Sequence, residues 1–192
     1  MQGSTKPQSP ELDNLRLRVA AFKSEYRAGP EKWPFRCCEL ALQSLEQGNY
    51  GVGAVLIDRN GELLTEAGNA VFYPRFDSSA HAEMRVLNQF EENYPGYEDR
   101  QGLTLFASLE PCPMCCSRIL AAGIGQIIYL AEDKDGGMMS RCEKMPPAWI
   151  NISQLAEISK FKGNVELINL ASDLAVAQLS SLREKLISVI RP

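Results

Sequence analysis

Residues 103–131 read LTLFASLEPCPMCCSRILAAGIGQIIYLA. The spacing predicts a strand over 103–109, a helix over 112–122 and a second strand over 125–131. Pro111 and Pro113 suit a helix entry, and Gly123 suits its exit. Two neighbouring strands joined by a helical crossover run parallel, because the crossover carries the chain back to the end of the sheet where the first strand began. This one stretch therefore predicts a sheet with helices packed on its faces.

The pattern extends in both directions. Upstream, 52–58 is a nearly continuous apolar run, as in a strand covered on both faces. Arg59-Asn60-Gly61 supplies a turn, since Asn-Gly tolerates positive φ. Residues 62–69 return as a partner strand. A loop over 70–79 leads to a helix over 80–93 that buries Val86, Leu87 and Phe90. From 52 to 131 the order is β-β-α-β-α-β, which predicts an α/β fold in three layers, α/β/α, around a central mixed sheet.

Two helices precede this core. Ser9-Pro10-Glu11 reads as an N-cap, a first-turn proline and a first-turn acid. Leu12, Leu15, Val19, Phe22 and Tyr26 then follow at steps of three and four, and Gly29-Pro30 ends the helix. The second helix spans 34–47, with Cys37, Cys38, Ala41, Leu42 and Leu45 inward and Gly48 as its C-terminal stop. Beyond 131 the chain reads as an irregular loop over 132–151, a short helix over 152–160 and a strand over 165–170. A final helix from 172 carries a stripe of Ala175, Leu179, Leu182, Leu186 and Val189. The whole, 1–192, reads as one domain: a polar tail at 1–8, an extra helix within 9–30, a core over 34–131 and a C-terminal portion over 132–192.

Chemistry concentrates in two short motifs. His81, the only histidine of the chain, opens one crossover helix, and Cys112 and Cys115 open the other. At i, i+3 the two thiols share one helix face. The helix N-terminus favours their thiolates. Both helices begin at the carboxyl edge of the sheet, where ligands bind in such folds. One His and two Cys form a three-ligand zinc set with the fourth position open to water, whose pKa the metal lowers. Glu83 follows His81 by two residues. At roughly 100° per residue it points elsewhere on a helix, so it reads as a general acid and base rather than a ligand. A structural Cys3His site completed by Cys116 or Cys142 is the alternative. Cys37, Cys38 and Cys116 read as small core residues, and Met114 as packing.

The order H-x-E followed by P-C-x-x-C is the signature of zinc nucleobase deaminases. On His81-Ala82-Glu83 and Pro111-Cys112-Pro113-Met114-Cys115 the chain resembles the cytidine and deoxycytidylate deaminase-like superfamily. The likeness runs from about Gly51 to Ala131. Ser79 to Glu83, Ser108 to Cys115, Val52 to Leu56 and Gly68-Asn69 are most similar to guanine deaminases and tRNA adenosine deaminases. The resemblance implies Zn2+ on His81, Cys112 and Cys115. It implies Glu83 moving protons among the water, the ring nitrogen and the leaving ammonia. It implies Asn69 hydrogen-bonding the base, with the backbone around Ala82 and Ser108 lining the pocket, and a homodimer.

Composition narrows the substrate. The 192 residues carry 20 Lys and Arg against 24 Asp and Glu, a net charge of −4. Residues 170–192 net one positive charge, a poor clamp for phosphates. A small nucleobase-like substrate is thus favoured over tRNA or another nucleic acid, and a non-catalytic zinc module is the further alternative. Trp149 and Met138-Met139 are placed either to stack on a base or to pack against the sheet or a second subunit. The N-terminal helix either covers the sheet or mediates dimerisation. No apolar run is long enough for a membrane span. The polar N-terminus and six unpaired-looking cysteines predict a cytoplasmic protein.

Overall fold

The computed structural model describes residues 9–26 and 28–191. The tail read at 1–8 lies outside the described residues. Five strands form one sheet: β1 (Gly53–Ile57), β2 (Leu63–Gly68), β3 (Thr104–Leu109), β4 (Gln126–Ala131) and β5 (Glu157–Lys160), in the order β2-β1-β3-β4-β5. β1 is antiparallel to both β2 and β3, whereas β3, β4 and β5 are parallel. The sheet is mixed, as the β-β-α-β-α-β order requires.

Alternation along β1 divides the core. Ala54 and Leu56 face α3 (Ala82–Asn93) and α4 (Pro113–Ala121), in one cluster with Val86, Phe90 and Ile119. Val55 and Ile57 face α2 (Lys32–Glu46), packing on Cys37 and Leu40. On that second side α2 and α6 (Val165–Val176) lie against the sheet. α1 (Pro10–Phe22) packs outside them: Leu12, Leu15 and Val19 meet Leu42, Leu45, Leu167 and Leu174. The N-terminal helix therefore covers other helices rather than the sheet. Its cap is as read, with Leu12 N–H donating to Ser9 Oγ at 3.1 Å. It stops at Phe22, four residues short of Tyr26, whose hydroxyl accepts from Asn164 Nδ2 at 2.6 Å.

The C-terminal portion departs from its sequence reading in three places. Residues 152–160 are not one helix: α5 (Pro147–Ser153) ends and β5 follows. The parallel edge of β4 offers backbone partners that a four-residue segment cannot find alone. Residues 165–170 are not a strand but the first half of α6. The alternation Val165-Glu166-Leu167 misleads, because the buried residues Leu167, Leu170, Ala171 and Leu174 continue at helical steps through Ser172-Asp173. Asn164 caps this helix, its Oδ1 accepting from Glu166 N–H at 2.7 Å. The final helix is two. Gln178 adopts φ 58°, and α7 (Leu179–Ile190) starts after it. Of the stripe read there, Leu182 is buried and Val189 is 42% exposed. No helix among the described residues is long and apolar enough to cross a membrane.

Candidate metal centre and adjoining cavity

Two helix N-termini converge at the carboxyl edge of β3. His81 is the N-cap residue of α3, and Cys112 is the N-cap residue of α4, with Pro113 at the first helical position. Neither uses its side chain as a cap, which leaves imidazole and thiol free to face each other. His81 Nδ1 lies 3.7 Å from Cys112 Sγ and 3.6 Å from Cys115 Sγ. The ligand atoms of all three residues fall within 4.8 Å of one another. Zinc bonds of about 2.3 Å to sulfur and about 2.0 Å to nitrogen set tetrahedral N–S edges of about 3.5 Å, so the cluster has the size of a zinc site. Neither Cys116 nor Cys142 joins the group. The Cys3His arrangement is not formed.

The electrostatics suit a cation. Hydrogen bonding to Cys115 and His81 holds the Cys112 thiol down at about 4, a thiolate under ordinary conditions. The same hydrogen bond with Cys112, together with burial, pushes Cys115 up. The hydrogen bond with Cys112 raises His81. A divalent ion would neutralise this trapped negative charge, and two helix N-termini add to its stabilisation.

Glu83 lies at the cavity wall and is 3% exposed. Burial pushes its carboxyl group up, favouring the protonated form. It is outside the three-residue cluster, as its helical offset from His81 predicts. Asn69 follows β2 and is 3% exposed. Its backbone N–H donates to the Val52 carbonyl at 2.8 Å, and its Oδ1 accepts from Val71 N–H at 3.1 Å. Among the described residues its Nδ2 has no hydrogen-bond partner, and the side chain lines the cavity. Ala82 and Ser108 are fully buried. Ser108 Oγ accepts from Gly53 N–H at 3.0 Å, which joins β1 to β3 behind the wall.

The cavity measures about 610 Å³. His81, Glu83, Cys112 and Asn69 form its floor, and residues 132–135 one side. Its roof comes from α6 and α7, through Ala175, Val176, Leu179, Arg183 and Leu186. Sequence reasoning missed this roof because it read α6 and α7 as one strand and one helix. It also missed Glu110. That carboxylate is 3% exposed and accepts from Asp133 N–H at 3.1 Å and Ser140 N–H at 2.8 Å, so it holds the loop beside the cavity. Gly137 lets the loop come this close: a Cβ there would sit 2.4 Å from the Glu110 carboxyl carbon. The signal was an acid directly after a buried strand. Met139 is buried in the cluster shared with α3 and α4, and Met138 and Trp149 pack against it; none of the three lines the cavity.

Residues 29–131 match the model of the cytidine and deoxycytidylate deaminase zinc-binding region. The chain belongs to this deaminase family. The cofactor of that region is zinc, and the His81, Cys112 and Cys115 group is positioned to bind it. The chain is 35% identical over 97 residues to a tRNA-specific adenosine deaminase of Bacillus subtilis, covering 50% of this chain and 58% of that protein. It is 34% identical over 126 residues to the tRNA-specific adenosine deaminase of Haemophilus influenzae, covering 65% and 70%. A probable cytosine deaminase of Schizosaccharomyces pombe matches at 29% over 114 residues, covering 59% and 67%. A structure from work on tRNA:A34 deaminases superposes with TM-score 0.59 and 26% identity over 68% of this chain and 97% of that one. A guanine deaminase structure from Nitrosomonas europaea shares the fold at TM-score 0.58 and 20% identity, over 92% and 98%.

Proposed function

We propose that this deaminase-family chain hydrolyses the exocyclic amine of a free nucleobase, nucleoside or related amino-heterocycle, releasing ammonia. Glu83 carries the reading. A nearly fully buried carboxyl group stands at the cavity wall beside the metal cluster without belonging to it, and a purely structural zinc site has no use for one. His81, Cys112 and Cys115 would hold zinc, which when bound would supply a Lewis acid able to acidify a water. Glu83 moves one proton of the attacking water to the ring nitrogen, and then the proton of the new C–OH group to the amine, which leaves as ammonia while the carbonyl forms. Asn69 offers its free Nδ2 to an acceptor on the ring. Ala82 and Ser108 support the wall from behind.

The cavity's surroundings favour a small substrate. Glu132, Asp133 and Asp135 stand at one side against Lys134 and Arg183. An acidic side does not attract a phosphate backbone. With α7 along one wall, the cavity has a volume suited to a heterocycle. A tRNA substrate is the second reading, favoured by the activity that the Bacillus and Haemophilus relatives' names state. All six cysteines are free, which suits a reducing compartment such as the cytoplasm. A homodimer belongs to the proposal, supported by apolar side chains left open on α7, Ile187 at 57% and Ile190 at 64% exposed.

The test is ammonia release by the zinc-loaded protein from guanine, adenine, cytosine, their nucleosides, single-stranded DNA and tRNA, with Glu83→Ala as control. Release from a free base or nucleoside that vanishes in the variant is the expected result. Release from tRNA alone moves the assignment to the second reading. Turnover that survives Glu83→Ala overturns the mechanism.

A further inference from the structure

Sulfur gathers at a second place, around Cys116, the residue that follows Cys115 on α4. Cys116 Sγ lies 3.8 Å from Cys142 Sγ, 3.8 Å from Met139 Sδ and 3.7 Å from Met145 Sδ. Cys116 belongs to α4. Met139 and Cys142 belong to a 3-10 segment, Met139–Lys144, and Met145 follows it. Cys116, Met139 and Cys142 are buried in the cluster shared by α3 and α4, and Met145 packs against it from a half-exposed position. No residue of this group takes part in the chemistry proposed for Glu83.

We propose that Cys116, Met139, Cys142 and Met145 form a binding site for a soft monovalent d10 cation of the copper(I) class. Donor chemistry selects the ion. Two thiols and two thioethers offer only soft sulfur, which favours copper(I) over the harder divalent ions. The histidine-bearing cluster of His81, Cys112 and Cys115 suits zinc instead. The size agrees as well. Metal–sulfur bonds of about 2.3 Å set S–S separations of about 3.8 Å at tetrahedral angles and about 4.0 Å at trigonal ones. The three separations around Cys116 Sγ match the former. The present bonds of these groups are easily given up: Cys142 Sγ donates to the Met139 carbonyl at 3.3 Å, and a thiol is a weak donor. Half-exposed Met145 and the edge of Cys142, 9% exposed, give an ion its way in. A bound ion would tie the 3-10 segment to the helix that carries Cys112 and Cys115.

The experiment is an anaerobic titration of the zinc-loaded protein with copper(I) buffered by bicinchoninate. Bound copper and zinc are both counted, and X-ray absorption is recorded at the copper edge. The expected result is one copper(I) per chain in an all-sulfur shell, with zinc retained. Cys142→Ser should abolish uptake. Met145→Leu, which preserves volume at a half-exposed position, should weaken it by more than about tenfold, the lower end of the cost of losing an outer-sphere partner. Because Met145→Leu leaves the fold undisturbed, the test survives a Cys142→Ser variant that does not fold. No uptake, uptake indifferent to both substitutions, or uptake only as zinc leaves His81, Cys112 and Cys115 overturns the proposal.

Discussion

The floor of the cavity hangs on the deepest part of the molecule, whereas its roof hangs on little. His81, Glu83, Cys112 and Cys115 sit at the starts of α3 and α4, and those helices bury Val86, Leu87, Phe90, Ile119 and Leu120 in one apolar cluster with β1, β3 and β4. Leu179, Arg183 and Leu186 reach the cavity from α7, in which Leu182 is the buried residue. α7 docks on a small cluster of Val71, Phe72 and Leu182, with Tyr50 and Leu186 at its border and Lys185 Nζ 4.6 Å from the Phe72 ring centroid. The left-handed Gln178 separates it from α6. Geometry that chemistry needs is placed on elements that cannot shift without opening the core. Under the proposed function, substrate selection falls to a helix whose attachment is local and cheap to alter.

This contrast can be broken first at the floor. Stripping the metal with a chelator should abolish ammonia release, and added zinc should restore it; activity that persists in metal-free protein would mean the floor does not depend on the His81 cluster. Glu83→Ala should lower kcat by about 10²- to 10⁴-fold, the usual reach of a general acid and base. Its zinc content, read by metal analysis, should stay at one per chain, which separates loss of the proton carrier from loss of the site.

The roof predicts smaller and different effects. Leu182→Ala removes the main anchor of α7 and should cost about 2–4 kcal/mol in the attachment of that helix. The expected readout is faster amide exchange over 179–190 with the β3 and β4 amides unchanged, and a KM that rises more than kcat falls. Slower turnover at unchanged KM would show that the roof shares in the chemistry. Arg183→Ala should be the mildest change. An exposed charge is worth up to about 1 kcal/mol, so KM for a free base should move by less than about fivefold. A much larger loss seen only with tRNA would turn Arg183 into a phosphate contact and reverse the contrast between the two regions.

The floor was legible in the sequence for a local reason. His81-Ala82-Glu83 and Cys112 to Cys115 each lie within one helical turn, so their spacing fixes which groups face together. The flanking apolar runs then put both helix starts at one sheet edge. Asn69 was legible only through family resemblance, since an Asn after a strand also reads as a turn residue. The roof was not legible. Val165 to Leu170 satisfies both a strand and a helix pattern over six residues, and only contact with α1 and α2 selects the helix. Glu157–Lys160 becomes a strand because β4 presents an open parallel edge. The same limit hid the sulfur group, since Cys116 and Cys142 stand 26 positions apart.

By itself the sequence determined the three-layer α/β/α fold, the strand–helix order from 52 to 131, the His-Cys-Cys donor set and the separate place of Glu83. These follow from periodicity and from spacings within single turns, which the backbone enforces locally. Tertiary structure alone decided that α1 covers α2 and α6, that the C-terminal residues split into β5, α6 and α7, and that α7 lines the cavity. Those outcomes depend on which distant surface each marginal segment finds to bury itself against, and short-range pattern carries no record of that.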